Sequence, residues 1–378
     1  MSQKVVVIGG GYAGVEAAKA LDPSFDVTLV AGGEAFRHIV YGLRATALPE
    51  ETPRMLPSYD KLLKRGTVLK CSASKINAGE STVTVSTGDV LPYEFLVLAT
   101  GILHPKTVGV GNNTSTVAAL TAVFQQANAE LKAAQDILVI GGGPIGIEMA
   151  GEIKEEMPEK SVTLVTSKEL MPSEAVAFPE KFRTRLRSKL EKVGVTVHTH
   201  GGRVNFSKED INACGFIQGK KAYSWTGGEV EADLCIVCTG ATEPSSLYAD
   251  SGLQAWLNEK GQVKVEDTLE VKEAPGSGKV FAVGDCMDLA VPKIAYLAGI
   301  EGAAVATQIT ASAAGKPLKS AKPSVLAVSL VPVGKSGGVS ALPMGIVVGD
   351  FMTKTMKSKD MFVAKYWTLL NAGKAPAV

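Results

Sequence analysis

Two stretches decide the fold of this chain: "VVVIGGGYAG" at residues 5–14 and "ILVIGGGPIG" at residues 137–146. Each begins as an apolar run of strand type, passes through clustered glycines and continues as a helical pattern. The G-x-G-x-x-G spacing between a strand and a helix is typical of a dinucleotide-binding loop. Two copies predict a protein that holds two dinucleotides and transfers electrons between them.

Each glycine of the motif has its own predicted task. The first allows a tight turn, the second lets the backbone approach a pyrophosphate, and the third brings helix and strand close together. The free N–H groups at the helix start then face the phosphates. The predicted cofactor-binding residues of the two loops are Gly9, Gly10, Gly11, Tyr12, Ala13 and Gly14, and Gly141, Gly143, Pro144, Ile145 and Gly146.

Composition excludes several classes of function. The 378 residues include 39 Lys and Arg against 38 Asp and Glu, a net charge of +1 that gives no sign of nucleic-acid binding. No apolar run reaches the roughly 18 residues of a membrane span. Only four residues precede the first predicted strand, so no signal peptide is expected, and Ser2 does not fit an N-myristoylation motif. We expect a cytoplasmic protein, with peripheral contact to a membrane or lipid droplet left open.

The five cysteines predict neither a disulfide framework nor a metal site. The pair in "CIVC", Cys235 and Cys238, lies in an apolar run of strand type, where positions i and i+3 point to opposite faces. We therefore expect both to be core thiols. No further Cys or His pair completes a zinc site, and we expect no metal.

The acidic residue that binds a ribose 2′-hydroxyl in many such units is absent after both motifs. Glu34 is a displaced candidate in the first unit. In the second, Ser167 and Lys168 could accept a 2′-phosphate, so NADPH is as compatible as NADH; Lys168 as a plain surface lysine is an equal alternative. Two buried strands that end in Thr-Gly add three candidate cofactor-binding residues: Thr100, Gly101 and Gly240.

The segment "FAVGDC" at residues 281–286 resembles the flavin-ribityl-binding segment of flavoproteins with two dinucleotide-binding domains. On that resemblance Asp285 would hydrogen-bond the ribityl chain of FAD. An aspartate at a helix N-cap is the structural alternative at the same position.

A closer resemblance lies in "FRHIVYGLRA", "GIEMAGEI", "PEKSVTL", "PKIAYLAG" and "KSKDMFV". Together these segments look like the apoptosis-inducing-factor-like ferroptosis suppressor proteins, which are FAD-containing NAD(P)H:coenzyme Q oxidoreductases. The resemblance implies an α/β fold with two Rossmann-like domains of glutathione-reductase type and a small α+β C-terminal domain. It places the FAD-binding domain at residues 1–112 and 262–314, the NAD(P)H-binding domain at 113–261, and the C-terminal domain at 315–378.

The same resemblance implies roles for individual residues. Arg44 would bind FAD, and Val68 would present its backbone to the adenine. The residues implied around the reacting groups are Glu148 facing nicotinamide and flavin, Lys293 and Tyr296 beside the isoalloxazine ring, and Lys357 and Phe362 at the quinone entrance.

The helix predicted after the first motif, "AGVEAAKAL", carries no cysteine pair, which argues against a disulfide reductase. Electrons would then leave directly from FAD, which NADH or NADPH reduces, to a quinone, giving a lipophilic radical-trapping quinol. Three alternatives stay open. They are a redox-sensing flavoprotein acting through partner binding, a ferredoxin reductase and a type II NADH dehydrogenase.

The tail "FMTKTMKSKDMFVAKYWTLL" at residues 351–370 mixes lysines with aromatic residues. Phe362, Tyr366 and Leu370 recur every four residues and predict one face of a helix. We expect part of this stripe to wall a quinone channel and its tip to touch a membrane. A helix packed on the domain core is the alternative.

Overall fold

The computed structural model describes residues 2–102, 115–173, 175–212, 214–239 and 246–377. Gly240, a predicted cofactor-binding residue, lies outside the described residues. In chain order the strands are β1 (Lys4–Ile8), β2 (Asp26–Val30), β3 (Thr67–Leu69), β4 (Ala73–Asn77), β5 (Thr82–Val85), β6 (Val90–Pro92), β7 (Phe95–Leu98), β8 (Asp136–Ile140), β9 (Ser161–Val165), β10 (Val195–His198), β11 (Phe216–Trp225), β12 (Gly228–Val237), β13 (Val280–Ala282), β14 (Ser329–Pro332), β15 (Gly338–Ala341) and β16 (Val347–Val348).

The helices are α1 (Tyr12–Leu21), α2 (Gly42–Ala47), α3 (Val117–Ala133), α4 (Pro144–Glu156), α5 (Glu180–Lys192), α6 (Ser246–Asp250), α7 (Ala295–Ala313), α8 (Asp350–Thr353) and α9 (Val363–Leu369). A 3-10 turn spans Gly284–Cys286, and a π-helical turn at Lys354–Ser358 follows α8.

The first glycine motif belongs to a five-stranded parallel sheet with the order β13-β7-β1-β2-β3. Its central strand β1 is buried from Val5 to Ile8, as expected for a parallel strand that is covered on both faces. Strand β13 reaches this sheet from late in the chain, pairing Phe281 with Val97 of β7. The late "FAVGDC" segment thereby joins the sheet that carries the first motif, with β7 between β13 and β1.

The second motif belongs to a sheet of order β10-β9-β8-β12-β11, parallel except for the β11–β12 hairpin. Both βαβ units predicted from sequence are confirmed, each with its glycines between the first strand and the following helix. Two small antiparallel sheets complete the described strands, β4-β5-β6 beside the first sheet and β14-β15-β16 in the C-terminal part.

Helix α7 packs directly on α1. A Cβ on Gly302 of α7 would fall 2.2 Å from the carbonyl oxygen of Ala13, so only glycine permits this approach. The C-terminal chain also joins the first core, because Tyr366 and Leu370 are buried in it. The start of α1 is therefore enclosed by elements from both ends of the sequence.

Candidate active site

The first glycine loop shows the geometry that its spacing predicts. A Cβ on Gly14 would fall 1.8 Å from the carbonyl oxygen of Gly9, which fixes α1 tightly against the loop. Gly9 has φ +115°, a conformation that favours glycine, and Ala99 stands directly behind it. Gly11, by contrast, faces open space: no atom of the described residues lies within 4 Å of its ideal Cβ position. The loop is closed where helix meets strand and open where a phosphate would sit.

The second loop repeats this arrangement. Gly141 has φ +127°, and a Cβ on Gly146 would fall 2.0 Å from the carbonyl oxygen of Gly141. Within the described part of the chain, nothing lies within 4 Å of the ideal Cβ of Gly143. Pro144 opens α4, where its missing N–H costs nothing, and Ile145 packs partly buried against the core. Both loops thus fit the close approach of a dinucleotide pyrophosphate.

The starts of α1 and α4 suit an anion. Gly11 and Gly143 are the N-caps, and neither helix start receives a side-chain cap. Free N–H groups and the positive end of the helix dipole therefore face the open side of each loop. Such a start binds a diphosphate well.

Asp285 lies near the start of α1. It is half-buried in the 3-10 turn, and its charge helps to raise the pKa of Tyr12, after the larger effect of burial. A Cβ on the preceding Gly284 would fall 3.1 Å from that of Ala13, so this turn and α1 are in contact. Thr100 pairs with the hydroxyl of Tyr248 at 3.0 Å, and Gly101 follows with φ +67°. The residues predicted to bind the FAD pyrophosphate and those predicted to bind its ribityl chain therefore lie next to each other.

A buried ion pair joins the second unit to the tail. The ammonium of Lys357, on the π-helical turn, donates to the Glu148 carboxylate at 2.7 Å and to the Leu330 carbonyl at 3.1 Å. The Glu148 side chain is buried, whereas Lys357 is partly buried, with 12% of its side chain exposed. Burial raises the pKa of Glu148, and Lys357 opposes that rise. The structure thus brings together two residues predicted separately.

One helical turn along α4, Glu152 forms a second buried pair, which sequence reasoning missed. Arg44 of α2 donates to both Glu152 oxygens, with the shortest contact at 2.8 Å and 1% of the Arg44 side chain exposed. The role of Arg44 as an FAD ligand stays a prediction, which this pairing does not support. Two cations, from α2 and from the tail, thus hold α4 in place.

Phe362 stands at a sharp corner before α9. It and Met361 both have left-handed backbone conformations, with φ of 67° and 52°. The imidazole of His38 contacts the Met361 carbonyl at 2.6 Å through Nε2 and the Tyr12 hydroxyl at 2.9 Å through Nδ1. Burial lowers the pKa of His38 to about 4, so the ring is neutral at neutral pH. This network ties the corner to the first residue of α1.

The remaining predicted residues lie around these features. Lys293 donates to the carbonyls of Met287 and Leu289 just before α7, and Tyr296 in the first turn of α7 is 64% exposed. Val68 pairs with β2 on edge strand β3. Ser167 and Lys168 are exposed after β9. The displaced candidate Glu34 instead accepts the Val117 N–H at the start of α3.

The cysteine prediction is confirmed. Cys235 is buried in the core on one face of its sheet, and Cys238 packs against the core on the other. Burial raises the pKa of Cys235 to about 12, which makes it a poor nucleophile. Within the described residues, no group of three or more His, Cys, Asp or Glu side chains is placed to hold a metal ion.

The prediction that the tip of the tail stripe touches a membrane is wrong, and the alternative, a helix packed on the domain core, is the one observed. Tyr366 stacks at 5.5 Å on Phe36 and lies beside Tyr12, and Leu370 is fully buried. Phe362 precedes the helix and is partly buried against the same core. A four-residue repeat marks an apolar face without saying what covers it. In this protein the hydrophobic core around the first sheet covers the face formed by Tyr366 and Leu370. Across the residues whose structure is described, no helix is both long and apolar enough to cross a bilayer.

Comparison with known proteins agrees with this geometry. Residues 3–310 match the pyridine nucleotide-disulphide oxidoreductase family. Human ferroptosis suppressor protein 1 is 32% identical over 374 residues, which cover 96% of this chain and 94% of that protein. Apoptosis-inducing factor homolog B of Dictyostelium discoideum is 31% identical, with 98% of each chain covered. The chain belongs to the ferroptosis suppressor branch of the pyridine nucleotide-disulphide oxidoreductases.

This family uses FAD with NAD(P)H, and the two open glycine loops fit those two dinucleotides. The chain is an FAD-dependent NAD(P)H oxidoreductase of this branch. Among solved structures, the sulfide:quinone oxidoreductase of Aquifex aeolicus superposes with a TM-score of 0.74 over 100% of this chain and 93% of that one. At 19% identity this likeness shows the shared fold alone.

Proposed function

We propose that the chain passes electrons from NAD(P)H, through FAD, directly to a quinone of coenzyme Q type, giving a lipophilic radical-trapping quinol. One observation carries the proposal: α1, which follows the first glycine loop, has the sequence YAGVEAAKAL and offers no thiol relay. An acceptor must therefore approach the flavin itself. The similarity to the ferroptosis suppressor proteins, which resemble coenzyme Q oxidoreductases, supports a quinone as that acceptor.

Bound FAD would supply the redox chemistry: it would take a hydride from NAD(P)H and pass two electrons to the quinone, which would gain two protons, one carried on the reduced flavin and one from solvent. The chain's own residues position and shield this chemistry. The loops at Gly11 and Gly143 hold the two pyrophosphates. The Lys357 ammonium has three N–H groups, two of which go to Glu148 and Leu330, and the third is available to a quinone carbonyl oxygen. Phe362 supplies an apolar edge at the proposed quinone entrance.

Steady-state oxidation of NADH and NADPH tests the proposal. We expect slow oxidation with no added acceptor and a large increase with a soluble short-chain quinone. Equal rates with and without quinone would contradict a quinone reductase and favour the redox-sensing alternative. Stimulation by ferredoxin but not by quinone would favour a ferredoxin reductase.

We also propose peripheral membrane contact through the segment 344–352 rather than through the helix face predicted from sequence. Among the described residues, this short segment holds four of the exposed large apolar side chains: Met344, Ile346, Phe351 and Met352. Met344 is 92% and Phe351 80% exposed. Basic residues of α5 border it, since Arg185 donates to the Val347 carbonyl and Lys189 pairs with Asp350 at 2.8 Å. Exposed apolar side chains next to basic residues are typical of segments that bind an anionic lipid surface.

Replacing Met344 and Phe351 together by Asp should weaken binding to anionic liposomes strongly and leave flavin content unchanged, because both side chains are exposed. Val90→Asp, at another exposed apolar position that is 56% accessible, is the matched control and should bind liposomes normally. Co-sedimentation with liposomes measures the effect. Unchanged sedimentation of the double variant would contradict this contact surface.

A further inference from the structure

Glu301, on α7, is a buried carboxyl group that the proposed reaction does not use. It is 2% exposed. One of its oxygens accepts the Gly284 N–H at 3.0 Å, and the other, Oε1, is buried without a hydrogen-bond partner in the described structure. A carboxylate in such a place loses the water around one oxygen and gains no hydrogen bond there to replace it. The neutral acid is the form that this environment favours.

Glu301 lies directly behind the FAD site. Its partner Gly284 precedes Asp285, and the following residue, Gly302, packs against Ala13 in the first turn of α1. The first turn of α1 is where the FAD diphosphate would be held. A diphosphate brings negative charge to this point, and charge of like sign disfavours a carboxylate nearby.

The groups around Glu301 shift its pKa in both directions. The Gly284 N–H and the ammonium of Lys293 lower it, whereas the negative Asp285, in the adjacent turn, raises it by less. On α1, Glu16 approaches α7 at Gly299, two residues before Glu301. Burial is the largest influence and raises the pKa of Glu301 to about 7.

We propose that Glu301 is a proton-linked residue of the FAD site, whose carboxyl group must be neutral when FAD is bound. FAD binding above neutral pH then takes up a proton at Glu301. The direction of this pH dependence follows from whether Glu301 is neutral or ionised before FAD binds. Below about pH 7 the carboxyl group is already neutral without FAD, so the affinity does not change with pH. Above that pH the carboxylate must first be protonated, and FAD affinity falls.

The Kd of FAD, from dilution of the FAD-bound protein and the fluorescence of released FAD, tests the proposal. For the unaltered protein we expect a constant Kd up to about pH 7 and then a rise that approaches tenfold per pH unit. Glu301→Gln keeps an acceptor for Gly284 and cannot ionise. Its Kd should stay constant with pH and be lower than that of the unaltered protein at alkaline pH. Glu16→Gln, which removes a neighbouring negative charge, should keep the pH profile of the unaltered protein.

A pH-dependent Kd in Glu301→Gln like that of the unaltered protein would overturn the proposal. If this variant does not bind FAD at any pH, a measurement on the unaltered protein tests the proposal by itself. Calorimetric titration of its flavin-free form with FAD, in buffers of different ionisation enthalpy, should show uptake of up to about one proton above neutral pH. No proton uptake would overturn the proposal. Neither measurement involves NAD(P)H or quinone, so the outcome is independent of the acceptor.

Discussion

Gly143→Val should retain FAD and lose nearly all reduction by NAD(P)H. The ideal Cβ position of Gly143 is open, so the fold tolerates a side chain, but that side chain would occupy the place of the nucleotide pyrophosphate. Losing two charge-assisted phosphate hydrogen bonds of about 1.5–3 kcal/mol each would lower the affinity for NAD(P)H by roughly 100-fold or more. Anaerobic titration with NADH, followed through the flavin absorbance, measures this loss.

The equivalent position in the first loop provides a reciprocal variant. Gly11 is equally open, and Gly11→Val should lose FAD while the protein stays folded. Gly146→Val should misfold, because its Cβ would collide with the Gly141 carbonyl oxygen. Loss of both cofactors in Gly143→Val, with normal circular dichroism, would contradict separate sites for FAD and NAD(P)H.

Lys357→Ala should both destabilise the protein and abolish quinone reduction. The change leaves the Glu148 carboxylate buried without its cation, which costs about 3–5 kcal/mol of unfolding free energy in comparable buried pairs. It also removes the N–H group proposed to meet the quinone. Chemical denaturation and quinone-dependent NADH oxidation measure the two effects.

A double variant, Glu148→Gln with Lys357→Met, separates stability from chemistry. It removes both charges while keeping much of the side-chain volume, so most of the lost unfolding free energy should return. Quinone reduction should stay absent. Recovery of quinone reduction in this double variant would show that the pair is purely structural and that Lys357 does not contact the quinone.

The sequence predicts local features of this protein well. The glycine spacing anticipates which positions are closed, such as Gly14, and which are open, such as Gly11, because neighbours in sequence set that geometry. The alternation of apolar residues likewise places Cys235 and Cys238 on opposite faces of one sheet. These conclusions depend on strand and helix periodicity alone.

Contacts between distant segments escape such reasoning. Arg44 and Glu152 are 108 residues apart, and nothing in either local pattern indicates their pairing. Glu301 lies in the apolar sequence of α7. That pattern does not indicate that one of its carboxylate oxygens is buried without a hydrogen-bond partner. The tail stripe fails for a related reason, since Tyr366 meets Phe36 and Tyr12 from the other end of the chain.

Direct passage of electrons from flavin to quinone is tested most directly by two anaerobic half-reactions in a stopped-flow spectrometer. Mixing the FAD-bound protein with NADH or NADPH should bleach the flavin, and mixing the reduced protein with a coenzyme Q analogue should restore the oxidised spectrum at a rate that rises with quinone concentration. Reduced flavin that persists with quinone but is promptly reoxidised by ferredoxin would contradict the proposed function.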